Sequence, residues 1–357
     1  MRVCQRGALE AVSVHRRRLA RSHSLVLCRP ARVPAGEWQE EMDRIMSKSP
    51  LSVAVLMGGQ SAEAEVSRNS AAEVAKALEQ SGHEHILIEL NRDAAQTLVE
   101  FKPDVVFPAL HGPPGEDGTV QGFLEILKYP YVGSSVRGSA LAMDKAIAKR
   151  IFQQNDLPVL EDYTVNPGDD VVAAAEVIKA TLGQRVVIKP LNQGSAIGVT
   201  PLPNGGDIAA GLIESLNFGP CLVEPFFMGK EITVGILEIE DKSIAHPVIE
   251  IRTSDDEWYD YENRYAVGQS EHVIPAHLDH DVLVRLQEIA TTAHEVLGLR
   301  DLSRADFIVA DNNEIALLEV NTLPGMTPTS LYPDGAQHLG YSFAALIDLL
   351  VRQAAER

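Results

Sequence analysis

Two hydrophobic rhythms alternate along the chain from about residue 50. "LSVAVLMGG" is a continuous apolar run ending in Gly58-Gly59 and predicts a buried strand. After it, apolar residues recur at helical spacing from about Ser67 to Gln80, with Ser67 as N-cap and Gly82 as the stop. "HILIEL" and "DVVFPALHG" repeat the strand signal, and "GTVQGFLEILKYPYVG" reads as helix, turn and strand. Strands alternating with helices predict a doubly wound parallel sheet to about residue 133.

The pattern then shifts. "MDKAIAKRIFQQNDLPVL" predicts a helix and loop, "VVAAAEVIKATLG" a helix, and "QRVVIKP" a strand. "NQGSAIGVTPL" is a Gly-containing loop entering a strand, and "PCLVEPFFMG" is a further strand. "EITVGILEIEDKSIAHPVIEI" predicts an antiparallel hairpin, and "DDEWYDYENRYAVGQSEH" a long surface loop of the kind usually reserved for function. A helix over 279–297 follows, and "GYSFAALIDLLVRQAAE" predicts a terminal amphipathic helix. The chain therefore divides into a leader (1–48), an α/β unit (49–133), and two α+β units (134–229 and 230–357), the last carrying a mobile loop at about 253–272.

"SRADFIVADNNEIALLEVNTLPGMTPTS" (303–330) is the most informative stretch. Two apolar runs flank "DNN", a tight-hairpin signal. With Asn312 and Asn313 as loop residues, Asp311 faces Glu314, Ile308 faces Leu317, Asp306 faces Glu319 and Arg304 faces Asn321. Arg304, Asp306, Glu319 and Asn321 then share one face. Opposed carboxylates repel unless a cation neutralises them. The hairpin alone leaves two readings even: a Mg²⁺–nucleotide site on Asp306, Glu319 and Asn321, or a solvated face bridged by Arg304. The Gly-turn "NTLPGMTPTS" adds backbone N–H groups suited to an oxyanion or carboxylate.

Charge and composition narrow the possibilities. Net charge is −19 over 357 residues, which excludes a broad nucleic-acid footprint. Residues 1–48 hold ten Lys and Arg against five Asp and Glu, whereas the rest holds 21 against 45. This Arg-rich leader reads as a disordered segment outside the native product, with initiation at Met42 or Met46; the alternative is an organelle transit peptide. Cys4, Cys28 and Cys221 match neither a disulfide framework nor a zinc site. No apolar run approaches the ~18 residues that span a bilayer.

Other candidates each have a bland alternative. Lys189 precedes "PLNQGSAIG", as a phosphate-binding lysine beside loop amides or as an ordinary edge lysine. The P-loop pattern and G-x-G-x-x-G are both absent, the latter arguing against nicotinamide binding. Glu224 and Glu231 suit an adenine and ribose pocket or a plain linker. Glu63 and Glu65 in "GGQSAEAEVS" suit an ammonium group or merely the helix dipole. His111 follows a strand, where a lone loop histidine is more often a surface residue.

In order along the chain, "GGQSAEAEVS", "ALHGPPGEDGTVQG", "GSALAMDK", "VVIKPLNQGSAIGV", "LVEPF", "WYDYENRY", "SRADF" and "LLEVNTLPGMTPTS" resemble the D-alanine–D-alanine ligases of the ATP-grasp superfamily. The resemblance covers about residues 50 to 354. It implies an ATP-grasp fold and ATP-dependent joining of two D-alanines through an acyl phosphate, for peptidoglycan precursor synthesis. It also implies Mg²⁺ or Mn²⁺, two ions, on Asp306, Glu319 and Asn321. ATP would meet Lys145, Lys189, Gly194, Ser195, Glu224, Phe227, Glu231 and Arg264. The substrates would meet Glu63, His111, Ser330 and Leu331. Arg304 and the Gly325 backbone match oxyanion stabilisers, and Glu63, Ser195 and Tyr265 a triad that clips the mobile loop shut.

Two departures stand out: Ala196 where a second serine is usual, and Arg264 where lysine is usual. Tyr265 favours D-alanine over D-lactate as acceptor. Competing readings are a ligase for another acid and a nucleotide-binding regulator without turnover. The resemblance further implies a homodimer in the cytoplasm, with no nucleic-acid or membrane partner.

Overall fold

The computed structural model of the protein describes residues 49–253, 270–327 and 330–357. The leader, most of the expected mobile loop, Arg264 and Tyr265 lie outside the described residues.

Three sheets order the described chain. The first is parallel, with β1 (Ser52–Met57) between β2 (Glu84–Glu89) and β3 (Val105–Pro108). The middle of β1 is fully buried, as the continuous apolar run requires. Helix α1 (Ala64–Gln80) starts ahead of the expected cap at Ser67. Ser67 lies inside the helix instead, accepting from Gly58 N–H and donating to the Ala109 carbonyl. A short polar side chain thus joins the ends of β1 and β3, a tertiary use that outweighs its local capping preference. Helices α2 (Ala94–Phe101) and α3 (Thr119–Leu127) complete the unit around Leu56, Leu98, Val106 and Leu124. The strand expected in "YPYVG" is a single bridge between Val106 and Tyr131.

Two capped helices follow, α4 (Val136–Met143) and α5 (Lys145–Gln154). Asp144 accepts from Ile147 N–H at 3.0 Å and so places Lys145 at the first position of α5. The second sheet is antiparallel. It comprises β4 (Tyr163–Val165), β5 (Val186–Pro190), β6 (Thr200–Leu202) and β7 (Cys221–Pro225), in the order β4-β7-β5-β6. Helices α6 (Val171–Thr181) and α7 (Ile208–Ser215) cover it through Ile178, Ile188, Leu212 and Val223.

The third sheet contains β8 (Lys230–Ile239), β9 (Lys242–Ala245), β10 (Ile249–Thr253), β11 (Ser270–Val273), β12 (Leu302–Val309) and β13 (Ile315–Asn321). Its order is β11-β10-β8-β12-β13, with β9 also on β8. Residues 270–272, expected in the surface loop, instead pair with β10. Helix α8 (His280–Leu297) packs on this sheet through Leu286 and Ile289, against Phe307 and Leu317. Helices α9 (Leu331–His338) and α10 (Phe343–Ala355) end the chain, and α10 packs on α1. Among the described residues no helix is long and apolar enough to cross a membrane.

The β12–β13 hairpin departs from the expected turn in two ways. Ala310 N–H bonds the Glu314 carbonyl at 2.9 Å, so residues 311–313 form the loop and Asp311 does not face Glu314. Asn313 takes the left-handed conformation at φ 66. Ile308 consequently faces Ala316, not Leu317. The register shifts again between Asp306 and Phe307, and this bulge restores the expected pairs Asp306–Glu319 and Arg304–Asn321.

Candidate active site

A cavity opens between the second and third sheets. It is lined by Lys145, Lys189, Gly194, Ser195, Glu224, Phe227 and Glu231 on one side, and by Arg304, Asp306, Glu319, Gly325, Ser330 and Leu331 on the other. Every candidate from these segments except Asn321 lines it. Asn321 joins the same cluster by donating to Asp306 at 3.0 Å.

Strand pairing places the charges. Lys189 and Glu224 come from neighbouring strands β5 and β7, both with nearly inaccessible side chains. The Glu224 carboxylate binds Lys189 through one oxygen and Lys149 through the other. Burial by itself would raise the Glu224 pKa, but the two lysines hold it below its ordinary value. Burial would likewise lower Lys189, yet the Glu224 charge outweighs it and the pKa is raised. Lys149 was not a sequence candidate. Its signal was the i,i+4 pair Lys145 and Lys149 on one face of α5. Lys145 donates to the Gln193 carbonyl at 2.8 Å and pairs with Glu319 at 3.1 Å, tying the Gly-containing loop to the hairpin.

On the hairpin, Arg304 grips Asp306 with two parallel hydrogen bonds of 2.8 and 2.7 Å. Thr233 Oγ1 donates to Asp306 at 2.7 Å. The opposed acids are thus neutralised by different cations, Asp306 by Arg304 and Glu319 by Lys145. Among the described residues no group of three or more His, Cys, Asp or Glu is placed to hold a metal ion. Two carboxylates and an amide on one hairpin face are nonetheless hard oxygen donors, and they suit a small divalent cation that completes its shell with phosphate and water.

The loop over 194–199 turns through left-handed Ser195 and Ala196, at φ 48 and 57. Ser195 Oγ donates to Glu63, joining the loop to the start of α1. Gly194 lies close to that carboxylate, where a Cβ would stand 3.1 Å from Glu63 Oε2. Gly112 faces the same carboxylate at φ +64, and a Cβ would sit 2.7 Å from Oε2. Glu63 is buried at the meeting point.

His111 is also buried, not a surface residue. Its Nε2 lies 3.0 Å from Ser70 Oγ, and burial lowers its pKa to about 4. Glu116, absent from the sequence candidates, has its pKa pushed up to about 7 by burial and by the Glu63 charge. Nothing in "GEDG" alone distinguishes it from a solvated loop acid. Ser330 stands at the N-cap position of α9, with its Oγ accepting from Thr327 N–H at 3.0 Å.

Comparison with known proteins gives a consistent result. The family described as "D-ala D-ala ligase C-terminus" matches residues 151–352, and "D-ala D-ala ligase N-terminus" matches residues 93–134. The D-alanine–D-alanine ligase of Desulforudis audaxviator is 44% identical over 85% of this chain and 99% of its own length. That of Halalkalibacterium halodurans is 41% identical over 86% and 100%. Among solved structures, the D-alanine–D-alanine ligase of Coxiella burnetii matches with TM-score 0.72 and 26% identity, covering 86% of this chain and 96% of that one. The VanG D-Ala:D-Ser ligase of Enterococcus faecalis matches with TM-score 0.74 and 30% identity, covering 86% and 100%.

Proposed function

The chain belongs to the D-alanine–D-alanine ligase family, and on that premise we propose how its residues divide the chemistry of joining two D-alanines. It is an ATP-dependent ligase of α/β ATP-grasp fold, forming D-alanyl-D-alanine for peptidoglycan precursor synthesis with ATP and a divalent metal.

The first D-alanine offers its ammonium to Glu63, beside His111. Its carboxylate oxygen attacks the γ-phosphorus of ATP, the bond to ADP breaks, and an acyl phosphate forms. Lys145 and Lys189 hold the phosphates, together with the amides of Gly194 and Ser195. Phe227, Glu224 and Glu231 hold the nucleoside, and Arg264 supplies a cation for the γ-phosphate. Asp306, Glu319 and Asn321 would hold Mg²⁺ or Mn²⁺, in our reading two ions, which when bound screen the phosphate charge. The second D-alanine, with its carboxylate at Ser330 and Leu331, attacks the acyl carbon through its neutral amine. The tetrahedral intermediate expels phosphate as Arg304 and the Gly325 N–H stabilise its oxyanion. Glu63, Ser195 and Tyr265 clip the loop shut and keep water from the acyl phosphate.

The observation that carries this assignment is one cavity lined by Lys145, Lys189, Arg304, Asp306, Glu319 and Ser330, drawn from two sheets and the N-termini of α5 and α9. A nucleotide-binding regulator has no need of Arg304 and Ser330 there. We also infer division at 133 and 229 into a substrate domain and two ATP-grasp subdomains, a homodimer, and a cytoplasmic location. Purified protein given ATP, Mg²⁺ and D-alanine is expected to release phosphate only when D-alanine is present, and to form the dipeptide. Phosphate release indifferent to D-alanine, or greater with D-lactate, defeats the assignment.

A further inference from the structure

The loop from His111 to Glu116 reaches the oxyanion loop on both sides of Gly325. Glu116 accepts from Leu323 N–H at 3.3 Å through Oε1, and from Gly112 N–H at 2.8 Å through Oε2. His111 reaches the same loop through Ser70: its Nε2 lies 3.0 Å from Ser70 Oγ, which also accepts from Met326 N–H at 3.4 Å. The contacts therefore bracket Gly325 on both sides, at Leu323 and Met326. Gly112, the second residue held by Glu116, faces the Glu63 carboxylate.

We propose that His111 and Glu116 act as positioning residues, Glu116 on Leu323 and His111 through Ser70 on Met326, clamping the backbone on either side of Gly325 so that its N–H is held in register with the first-substrate site around Glu63. This rests on the ligase assignment but assigns Glu116 a part that assignment leaves out, and gives His111 a further one. Neither side chain needs to touch a reacting atom. An oxyanion donor stabilises a transition state only when it is aimed before the charge develops, and here the aim is set from the opposite domain's loop. The bidentate geometry needs a carboxylate. An amide oxygen can accept from Gly112 or from Leu323, but its NH₂ then faces the other N–H.

Steady-state kinetics of Glu116→Gln, His111→Gln and the double variant test the clamp, with wild-type turnover as the reference. An inactive wild type refutes the ligase assignment itself, separately from the clamp. With an active wild type, each single variant is expected to lose about tenfold to a hundredfold in kcat, while KM for ATP stays within about twofold of wild type. The double variant should fall little below the worse single one, because both act on one backbone. If Glu116→Gln does not fold, His111→Gln carries the same expectation. The proposal is overturned by unchanged kcat in the folded variants. A rise in KM for the first D-alanine alone in Glu116→Gln would make Glu116 a direct substrate ligand, and parallel loss of ATP affinity and thermal stability in the variants would make the pair merely structural; either also overturns it.

Discussion

Glu224 shows how a single side chain serves two ends. Its carboxylate is buried and answers two lysines, one from α5 and one from β5. Paired, three ionised groups can stay out of water; removing the anion strands two cations. Glu224→Gln is expected to destabilise the nucleotide-free protein by roughly 3–5 kcal/mol in denaturant unfolding. A change below about 1 kcal/mol, the range of an exposed pair, would mean that the cluster is solvated. Glu63 and Glu224 could be singled out from the chain as acids near strand ends and glycines, and Glu319 because the hairpin sets it opposite Asp306. Lys149 and Glu116 could not. Their importance lies in what stands opposite, and that partner is 75 residues away for Lys149 and Glu224, and 207 for Glu116 and Leu323.

At the scale of elements, the β12–β13 hairpin shows two errors of register cancelling. A loop one residue longer than a two-residue turn would carry every later side chain of β13 to the wrong face. The bulge before Glu319 absorbs the extra residue and turns Glu319 back toward Asp306. The bulge is invisible in "IALLEVN", since two adjacent leucines are as apolar inside a bulge as in a regular strand. Asn313 carries the left-handed turn. Asn313→Gly should therefore leave the melting temperature nearly unchanged. Asn313→Val should cost about 1–2 kcal/mol. Equal melting temperatures for the two would remove the left-handed residue from the account of this hairpin.

At the scale of the molecule, charge is kept out of two separate interiors. His111 is buried beside Ser70, with a pKa near 4. His246 is buried against Tyr332 with neither ring nitrogen hydrogen-bonded among the described residues, and burial lowers its pKa to about 3. Unfolded, both would titrate near the ordinary histidine value of about 6.5. Between those values the unfolded chain binds more protons. The histidine contribution is thus fully present above about pH 6.5 and is lost as the pH falls toward 4. Glu116, with its pKa raised to about 7, works in the opposite direction and offsets much of the His111 part, so the decline that remains is that of His246. Unfolding followed from pH 7.5 to 4.5 should show this decline, and His246→Phe should flatten it. An unchanged slope in that variant would mean that His246 is accessible to protons in the folded state.

The sequence by itself determined the alternation of strand and helix, the antiparallel hairpin, and the set of oxygen and cationic groups suited to a phosphate-handling ligase. These follow from periodicity and residue chemistry, which are local along the chain. Only the tertiary structure decided which oppositely charged groups neutralise one another, which loop length the hairpin takes, and that Glu116 holds the Leu323 backbone just before Gly325. Those depend on packing between segments distant in sequence, where electrostatic and hydrogen-bond energies are set by distance and burial, not by neighbourhood along the chain.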